Sequence, residues 1–193
     1  MLWLVTALAL TQAPPNPWVA NARALVGVRY EFGGRLRKRE GIDCLGLVLA
    51  SAEKATGCGW RGYSVNPTEL VTTKALGEPV EGLSPVSSEA LTHSKLKPGD
   101  VVMLLSTVAN PAEPALAALE GAPLWVWHVG IASDAEGQWL VGDHHAGKVV
   151  ETNLAAYLRE HHDEYSAVYV VRPAGQKPKS CRKHAPMKVL RSP

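Results

Sequence analysis

Hydrophobic positions recur at helical spacing in two segments of the first third of the chain. In NPWVANARALVG, Asn16 is suited to cap a helix, Pro17 to begin it and Gly27 to end it. In the second segment, from Asp43 to Thr56, apolar residues fall at positions i, i+3, i+4 and i+7, as in a helix with one buried face. The sequence therefore predicts two helices, followed by a shorter one at 68–76.

After residue 99 the pattern changes to short apolar runs separated by turn residues, which predict strands at 100–106, 124–133 and 138–143. The segment SAVYVVRP predicts a last strand, and a short helix is expected before it, through Tyr157. The segment 107–123 is interpreted as an inserted helical excursion. Because helices come first and strands follow, the predicted fold is α+β, with helices packed on one side of a mostly antiparallel sheet.

The composition fits one globular domain, since 46% of the 193 residues are apolar and 20% are charged. The net charge of +2 is uneven: residues 175–193 include six Lys or Arg and no acid, which leaves 14 basic and 18 acidic residues elsewhere. We interpret 174–193 as a basic, solvated tail, with contact to an anionic polymer or membrane surface as the alternative. Nothing beyond this charge indicates a nucleic-acid partner.

The first 15 residues have an apolar core and an Ala before a Pro pair, but no Lys or Arg in front. An export signal or leader, a packed N-terminal helix and a cloning boundary all fit this pattern. There is no apolar run of about 18 residues, so no integral membrane segment is predicted. In an exported protein, Cys58 and Cys181 can pair and leave Cys44 free.

Cys44 stands where a basic, glycine-rich loop becomes the second predicted helix. A thiol attacks as the thiolate, and the start of a helix lowers a thiol pKa through its unpaired N–H groups and positive dipole end. The glycines at 33, 34, 41 and 46 permit a sharp turn and close approach of a substrate backbone. Cys44 is therefore a candidate nucleophile, and a buried, inert cysteine is the alternative.

A nucleophilic thiol needs a base within hydrogen-bond reach. His128 lies within WVWHVGIA, an otherwise apolar predicted strand, and strand alternation places Val126, His128, Gly130 and Ala132 on one face. The neighbouring glycine on that face leaves room for another group to approach. His128 is the candidate general base, with a hydrogen-bonded core histidine as the alternative.

A third group should orient the imidazole, and the segment VGDHHAG offers Asp143, His144 and His145. Alternation places Gly142 and His144 on one side of the predicted strand, and Asp143 and His145 on the other. No metal site is predicted from His128, His144 and His145, because adjacent histidines on a strand point to opposite faces and no carboxylate spacing completes a site.

Four motifs follow one another along the chain, namely YEFGG, DCLGLV, LKPGDVV and HVGIAS. With them, residues 18–173 resemble the NlpC-type (NlpC and p60) cell-wall cysteine peptidases, whose fold is papain-like. The resemblance implies that Cys44 is the nucleophile and His128 the general base. It also implies that the Tyr30 hydroxyl lies beside the nucleophile and that Asp43 shapes a pocket for the substrate's amine.

Two positions depart from the family pattern. Leu45 stands where the family usually has Ser, which puts local substrate contacts in question. Gly142 stands where a His would serve as the third catalytic residue. The hypothesis therefore takes His144, two residues further on, as the third residue, with Asp143 as the second choice.

The resemblance implies a hydrolase of bacterial peptidoglycan stem peptides that cleaves between D-glutamate and diaminopimelate, outside the cytoplasm and without a cofactor. Its catalytic domain would span 16–173, and its partner would be peptidoglycan or a muropeptide; no inhibitor or immunity protein is identified. One alternative is a papain-like deamidase or acyltransferase effector acting on a protein or lipid, suggested by Leu45, the 107–123 insert and the tail. Another is a cell-wall binding module that has lost turnover.

Overall fold

The computed structural model describes residues 16–36, 40–60, 65–134 and 136–174. The predicted leader segment, nearly all of the basic tail and Cys181 lie outside these residues. Among the described residues, no helix has both the length and the apolar character needed to cross a membrane.

The described helices are α1 (Pro17–Arg23), α2 (Cys44–Thr56), α3 (Pro67–Thr72) and α4 (Leu154–Glu160). Each begins at a side chain that accepts a hydrogen bond from the first turn, namely Asn16, Asp43, Asn66 and Asn153. The caps predicted at Asn16 and Asp43 are confirmed, and Gly57 ends α2 with a left-handed φ of 73°. Helix α1 is shorter than predicted and ends at Arg23.

The strands are β1 (Gly77–Pro79), β2 (Val86–Ser87), β3 (Val101–Ser106), β4 (Ala117–Leu119), β5 (Ala122–Ala132), β6 (Gln138–Asp143), β7 (Lys148–Asn153) and β8 (Ala167–Pro173). They form an antiparallel sheet in the order β1-β8-β3-β5-β6-β7, with β2 paired to β8 and β4 to β5. The predicted α+β class, with N-terminal helices on an antiparallel sheet, is confirmed.

Each face of the sheet carries its own hydrophobic core. On one face, α1, α2 and α3 pack against β5, so that Leu47 and Val48 share a core with Ile131. On the other face, α4 buries an i, i+3, i+4 set of side chains against Trp139 of β6, namely Leu154, Tyr157 and Leu158. The helices therefore do not all lie on one side of the sheet, because α4 has an apolar face of its own.

The segment 107–123 is not the helical excursion that the sequence predicted. It contains β4, which pairs with the start of β5 around Glu120 and Gly121. These two residues have φ values of 52° and 84°, as in a two-residue hairpin turn, and Pro111 and Pro114 interrupt any helix before β4. The insert is thus a loop and a hairpin that lengthen β5.

A β-bulge redirects the side chains in the middle of β5. Leu104 of β3 lies opposite His128, but the next residue, Leu105, lies opposite Val126, so Trp127 is the extra residue. Val126 therefore joins the core under α2, whereas His128 contacts aromatic rings of the other core. The predicted alternation, which put both side chains on one face, is wrong because it assumed an unbroken strand.

Candidate active site

Asp43 ties a loop to the start of α2. Its carboxylate accepts the backbone N–H of Gly46 as a helix cap and that of Gly33 at 2.9 Å. Nη1 of Arg35 lies 2.6 Å and 2.7 Å from the two carboxylate oxygens. Asp43 is only 6% exposed, so this buried charge is neutralised by an ion pair that sequence reasoning did not identify. The amine pocket that the resemblance assigns to Asp43 stays a prediction. In such a pocket, the substrate's amine and Arg35 would both contact the Asp43 carboxylate.

Cys44 is the first residue of α2, and its half-buried side chain packs against both cores. Burial, followed by the negative charge of Asp43, raises the pKa of the Cys44 thiol to about 12. Hydrogen bonds from the backbone N–H groups of Val129 and Leu45 lower this pKa, and so does the positive charge of Arg35. The helix start thus favours the thiolate, as the sequence suggested, but burial has the larger effect on the pKa.

Two of the three cysteines, Cys44 and Cys58, lie within the described residues and differ in their bonding. Cys44 is a free thiol, whereas Cys58 is disulfide-bonded. The predicted partner, Cys181, lies outside the described residues. Cys44 therefore remains available for chemistry.

His128 lies on β5 directly before Val129, whose N–H reaches the Cys44 thiol. It is 3% exposed, and burial is the main cause that lowers its pKa to about 3, with His144 the next cause. Its Nε2 is buried and has no hydrogen-bond partner within the described part of the chain. His128 is therefore a neutral imidazole at neutral pH, with a ring nitrogen free to take a proton.

Aromatic rings hold the His128 imidazole from several sides. Tyr157 and Tyr165 stack on it, with ring centroids 6.0 Å and 6.2 Å away, and Trp139 contacts it edge-on at 5.9 Å. Because these rings come from β6, α4 and the segment before β8, the second core fixes the orientation of the imidazole.

Both candidates for the third residue lie beside His128. A ring nitrogen of His128, a carboxylate oxygen of Asp143 and a ring nitrogen of His144 all lie within 4.8 Å of one another. Asp143 is buried and accepts the backbone N–H of His145 at 2.9 Å. His144 is exposed, and its ring meets His128 edge-on at 5.9 Å.

The strand alternation of side chains, which the sequence analysis used to choose between these residues, does not extend beyond Asp143. Strand β6 ends at Asp143, and residues 144–147 form a turn. His144 and His145 are therefore not on opposite faces of a strand; their ring centroids are 3.8 Å apart. The side chain of His145 is 45% exposed.

Tyr30 lies at the edge of the same site. Its backbone N–H donates to the carbonyl of Gly147 at 2.8 Å, which ties the Tyr30 segment to the turn after β6. The Tyr30 ring is 6.2 Å from that of His144. Burial is the main cause that raises the Tyr30 pKa to about 12, and the neighbouring Cys44 and Asp43 groups add to it. The tyrosine is therefore a neutral hydroxyl that can donate a hydrogen bond.

A groove of about 620 Å³ runs past Tyr30 and His144. Its rim includes three strongly exposed apolar side chains, Phe32 at 90%, Val108 at 62% and Trp127 at 45% exposure. The Trp127 indole N–H donates to the Val108 carbonyl at 2.8 Å, which holds two of these groups together. Sequence reasoning missed this rim, although Phe32 lies inside the YEFGG motif.

No protein-family model matches the chain, and neither does any curated protein. Solved structures do match it. The chain is similar to NlpC/p60 domains. One is the NlpC/p60 domain of the peptidoglycan hydrolase SagA, with 19% identity, a TM-score of 0.46, and coverage of 81% of this chain and 96% of that one.

Two further structures are longer than the matched region. The peptidoglycan hydrolase RipB from Mycobacterium tuberculosis is 18% identical with a TM-score of 0.48, and the match covers 81% of this chain but 62% of RipB. NlpC1 from Trichomonas vaginalis is 16% identical with a TM-score of 0.48, and the match covers 84% of this chain but 46% of NlpC1. Identities this low say nothing about the substrate or the reaction of this chain.

The two positions at which the sequence departs from the expected motifs, Leu45 and Gly142, both lie in closely packed surroundings. Leu45 is 6% exposed and packs in the core under α2, so its side chain does not line the groove. Gly142 lies directly under the start of α2: a Cβ there would stand 2.9 Å from the carbonyl carbon of Asp43 and 3.0 Å from the nitrogen of Cys44. A histidine does not fit at this position without moving the helix.

Proposed function

We propose that the chain is a cysteine hydrolase that cleaves a peptide bond in the stem peptides of bacterial peptidoglycan, with Cys44 as nucleophile and His128 as base. The observation that carries the proposal is the position of the thiol. Cys44 sits at the start of α2 and accepts a hydrogen bond from the backbone of Val129, the residue next to His128. The backbone of β5, the strand that carries His128, thus reaches the sulfur, and a thiol, a neutral imidazole and a helix start are the components of thiol acyl transfer.

The resting pair is a thiol and a neutral imidazole, because the Cys44 pKa is raised to about 12 and the His128 pKa is lowered to about 3. As the sulfur attacks the substrate carbonyl, its proton passes to His128 and an S–C bond forms. His128 then gives the proton to the departing amine as the C–N bond breaks. Water, with His128 again as base, hydrolyses the thioester, releases a carboxylic acid and restores the thiol.

The negative charge that forms on the carbonyl oxygen needs hydrogen-bond donors. The backbone N–H of Cys44, at the first position of α2, has no acceptor four residues earlier in the same helix. The positive end of the helix dipole adds to its effect. In this proposal Tyr30, which lines the groove together with His144, binds the substrate.

The third residue in this proposal is His144, with Asp143 as the second choice, because both lie within 4.8 Å of a His128 ring nitrogen. His144 would orient the imidazole and stabilise its positive charge during proton transfer. Neither the proposed attack nor the hydrolysis requires a cofactor. The motifs of the resemblance favour the bond between D-glutamate and diaminopimelate and action outside the cytoplasm.

The apolar rim favours a second candidate function: acyl transfer or deamidation on a protein or lipid by the same Cys44 chemistry. Phe32, Val108 and Trp127 are exposed at the groove, and an acyl chain or an apolar side chain would bury them. In acyl transfer, an acceptor amine or hydroxyl would resolve the thioester on Cys44 and restore the thiol. In deamidation, ammonia would leave as the thioester forms, and water would then hydrolyse the thioester.

Product analysis distinguishes these functions. The full chain is incubated with purified peptidoglycan that contains diaminopimelate, and the soluble products are identified by mass. The proposal predicts fragments that end in D-glutamate together with fragments that begin with diaminopimelate. Release of no peptide from the polymer or from soluble muropeptides would contradict the proposal and would favour the second candidate or a binding role.

A further inference from the structure

A second group of side chains with metal-binding atoms adjoins the candidate active site. This group, the His–Glu cluster, consists of His144, His145, His161 and Glu164. One ring nitrogen each of His144 and His145 and a carboxylate oxygen of Glu164 lie within 4.8 Å of one another. Oε1 of Glu164 is 3.7 Å from Nε2 of His145 and 3.2 Å from Nδ1 of His161.

Two short turns bring the His–Glu cluster together. His144 and His145 lie in the turn after β6, and the hydrogen bond from the His145 backbone to Asp143 supports that turn. His161 and Glu164 lie in the turn after α4, where the His145 and His161 rings stack with centroids 4.5 Å apart. The side chains of His145 and Glu164 are 45% and 46% exposed, so an ion can reach the cluster from solvent.

We propose that the His–Glu cluster binds Zn²⁺ or a similar divalent transition-metal ion, with His144, His145 and Glu164 as ligands. Imidazole nitrogen and carboxylate oxygen are ordinary zinc ligands, and three protein ligands with a water complete a tetrahedral site. Zinc–ligand distances of about 2.0–2.1 Å place tetrahedral ligand atoms about 3.3 Å apart. Exposed side chains on turns can close to that spacing from their present positions by small rotations.

His161 has a separate role in this site. Its Nδ1 contacts the same Glu164 oxygen that faces His145, and its side chain is only 11% exposed. It therefore holds the Glu164 carboxylate toward the two ligand histidines, as the hydrogen-bond partners of metal ligands commonly do.

The metal site shares His144 with the candidate catalytic group, since His144 is also within 4.8 Å of a His128 nitrogen. A bound ion would draw the His144 ring toward His145 and Glu164 and away from His128. Zinc would then lower hydrolysis reversibly. This consequence rests on the proposed function, whereas the metal site itself does not.

Calorimetric titration of the chelator-treated full chain with ZnCl₂ tests the site. We expect one ion per chain, and at least about tenfold weaker binding in His145→Ala and in Glu164→Gln, because each removes a ligand. His162→Ala is the matched control. It removes an exposed histidine of the same turn whose ring contacts Asp163 and not Glu164, and this variant should bind zinc like the wild type. Circular dichroism checks that each variant is folded.

Wild-type affinity in both His145→Ala and Glu164→Gln would overturn the proposal. So would loss of binding in Cys44→Ala with retention in the two ligand variants, because the ion would then sit on the thiol. In the activity arm, zinc should inhibit muropeptide hydrolysis by the wild type at least about tenfold more strongly than by Glu164→Gln. If hydrolysis is absent but the binding pattern holds, the proposed function fails and the metal site stands.

Discussion

At the scale of single residues, two opposing effects act on Cys44. The helix start, two backbone N–H groups and Arg35 favour the thiolate, while burial and the neighbouring Asp43 charge favour the thiol. Burial dominates, and His128 is likewise neutral for the same reason. The proposed hydrolase would therefore work by general-base catalysis, with the proton moving when the substrate arrives, and not through a preformed thiolate–imidazolium pair.

The pH dependence of Cys44 alkylation tests this protonation state. Well below a thiol pKa of about 12, the thiolate fraction rises about tenfold per pH unit. The rate of iodoacetamide modification, followed by mass at the Cys44 peptide, should therefore keep rising through about pH 10. Glutathione serves as the reference and should level off near its own pKa of about 8.5–9. A plateau for Cys44 near neutral pH would show a preformed thiolate.

The choice of third residue is also testable with single substitutions. Replacing His144 by Ala should lower kcat about 10- to 1,000-fold with little change in KM, because it removes the group that orients His128. Asp143→Asn should have the smaller effect, since Asn keeps an acceptor for the His145 N–H. Initial rates on a soluble muropeptide measure both. A larger loss in Asp143→Asn would transfer the role to Asp143.

At the scale of elements, the site depends on how closely α2 sits on β6. A Cβ on Gly142 would stand 2.9–3.0 Å from backbone atoms at the helix start, closer than side-chain carbons approach backbone. The bulge in β5 has an equally local effect, because it turns His128 to the aromatic side of the sheet. Small backbone features therefore position both Cys44 and His128, the proposed nucleophile and base.

Gly142→Ala should push the start of α2 away from β6. We expect a loss of about 1–3 kcal/mol in the free energy of unfolding, together with slower hydrolysis, because backbone atoms must move to admit the methyl group. Gly59→Ala is the matched control: a Cβ there meets nothing within 4 Å, so stability should change by less than about 0.5 kcal/mol. Urea unfolding measures the stabilities. Equal stability and activity of the two variants would contradict the close fit.

The sequence predicted those features whose causes are local. Asn16 and Asp43 cap their helices through contacts within a single turn, and the motifs around Cys44 and His128 are short. The bulge at Trp127 could not be predicted, because it depends on pairing with β3 more than twenty residues earlier. The end of β6 at Asp143 likewise depends on its partner strand β7.

At the scale of the whole molecule, the site lies where the two cores meet. Cys44 packs against both cores, while His128 lies among aromatic rings of the core that contains α4. The groove rim combines Phe32, Val108 and Trp127 from three separate segments, so no single stretch of sequence reveals it. The sheet and its two helix layers thus bring together residues that lie about a hundred positions apart in the chain.

The most direct test of the account is the rate of muropeptide hydrolysis by Cys44→Ala. The matched control is Ser51→Ala, which removes one buried side-chain atom from the same helix. Circular dichroism first checks that both variants are folded. Cys44→Ala should then lose at least about 1,000-fold in kcat, and Ser51→Ala should keep wild-type activity. Hydrolysis by Cys44→Ala within about tenfold of the wild-type rate would contradict a thiol mechanism.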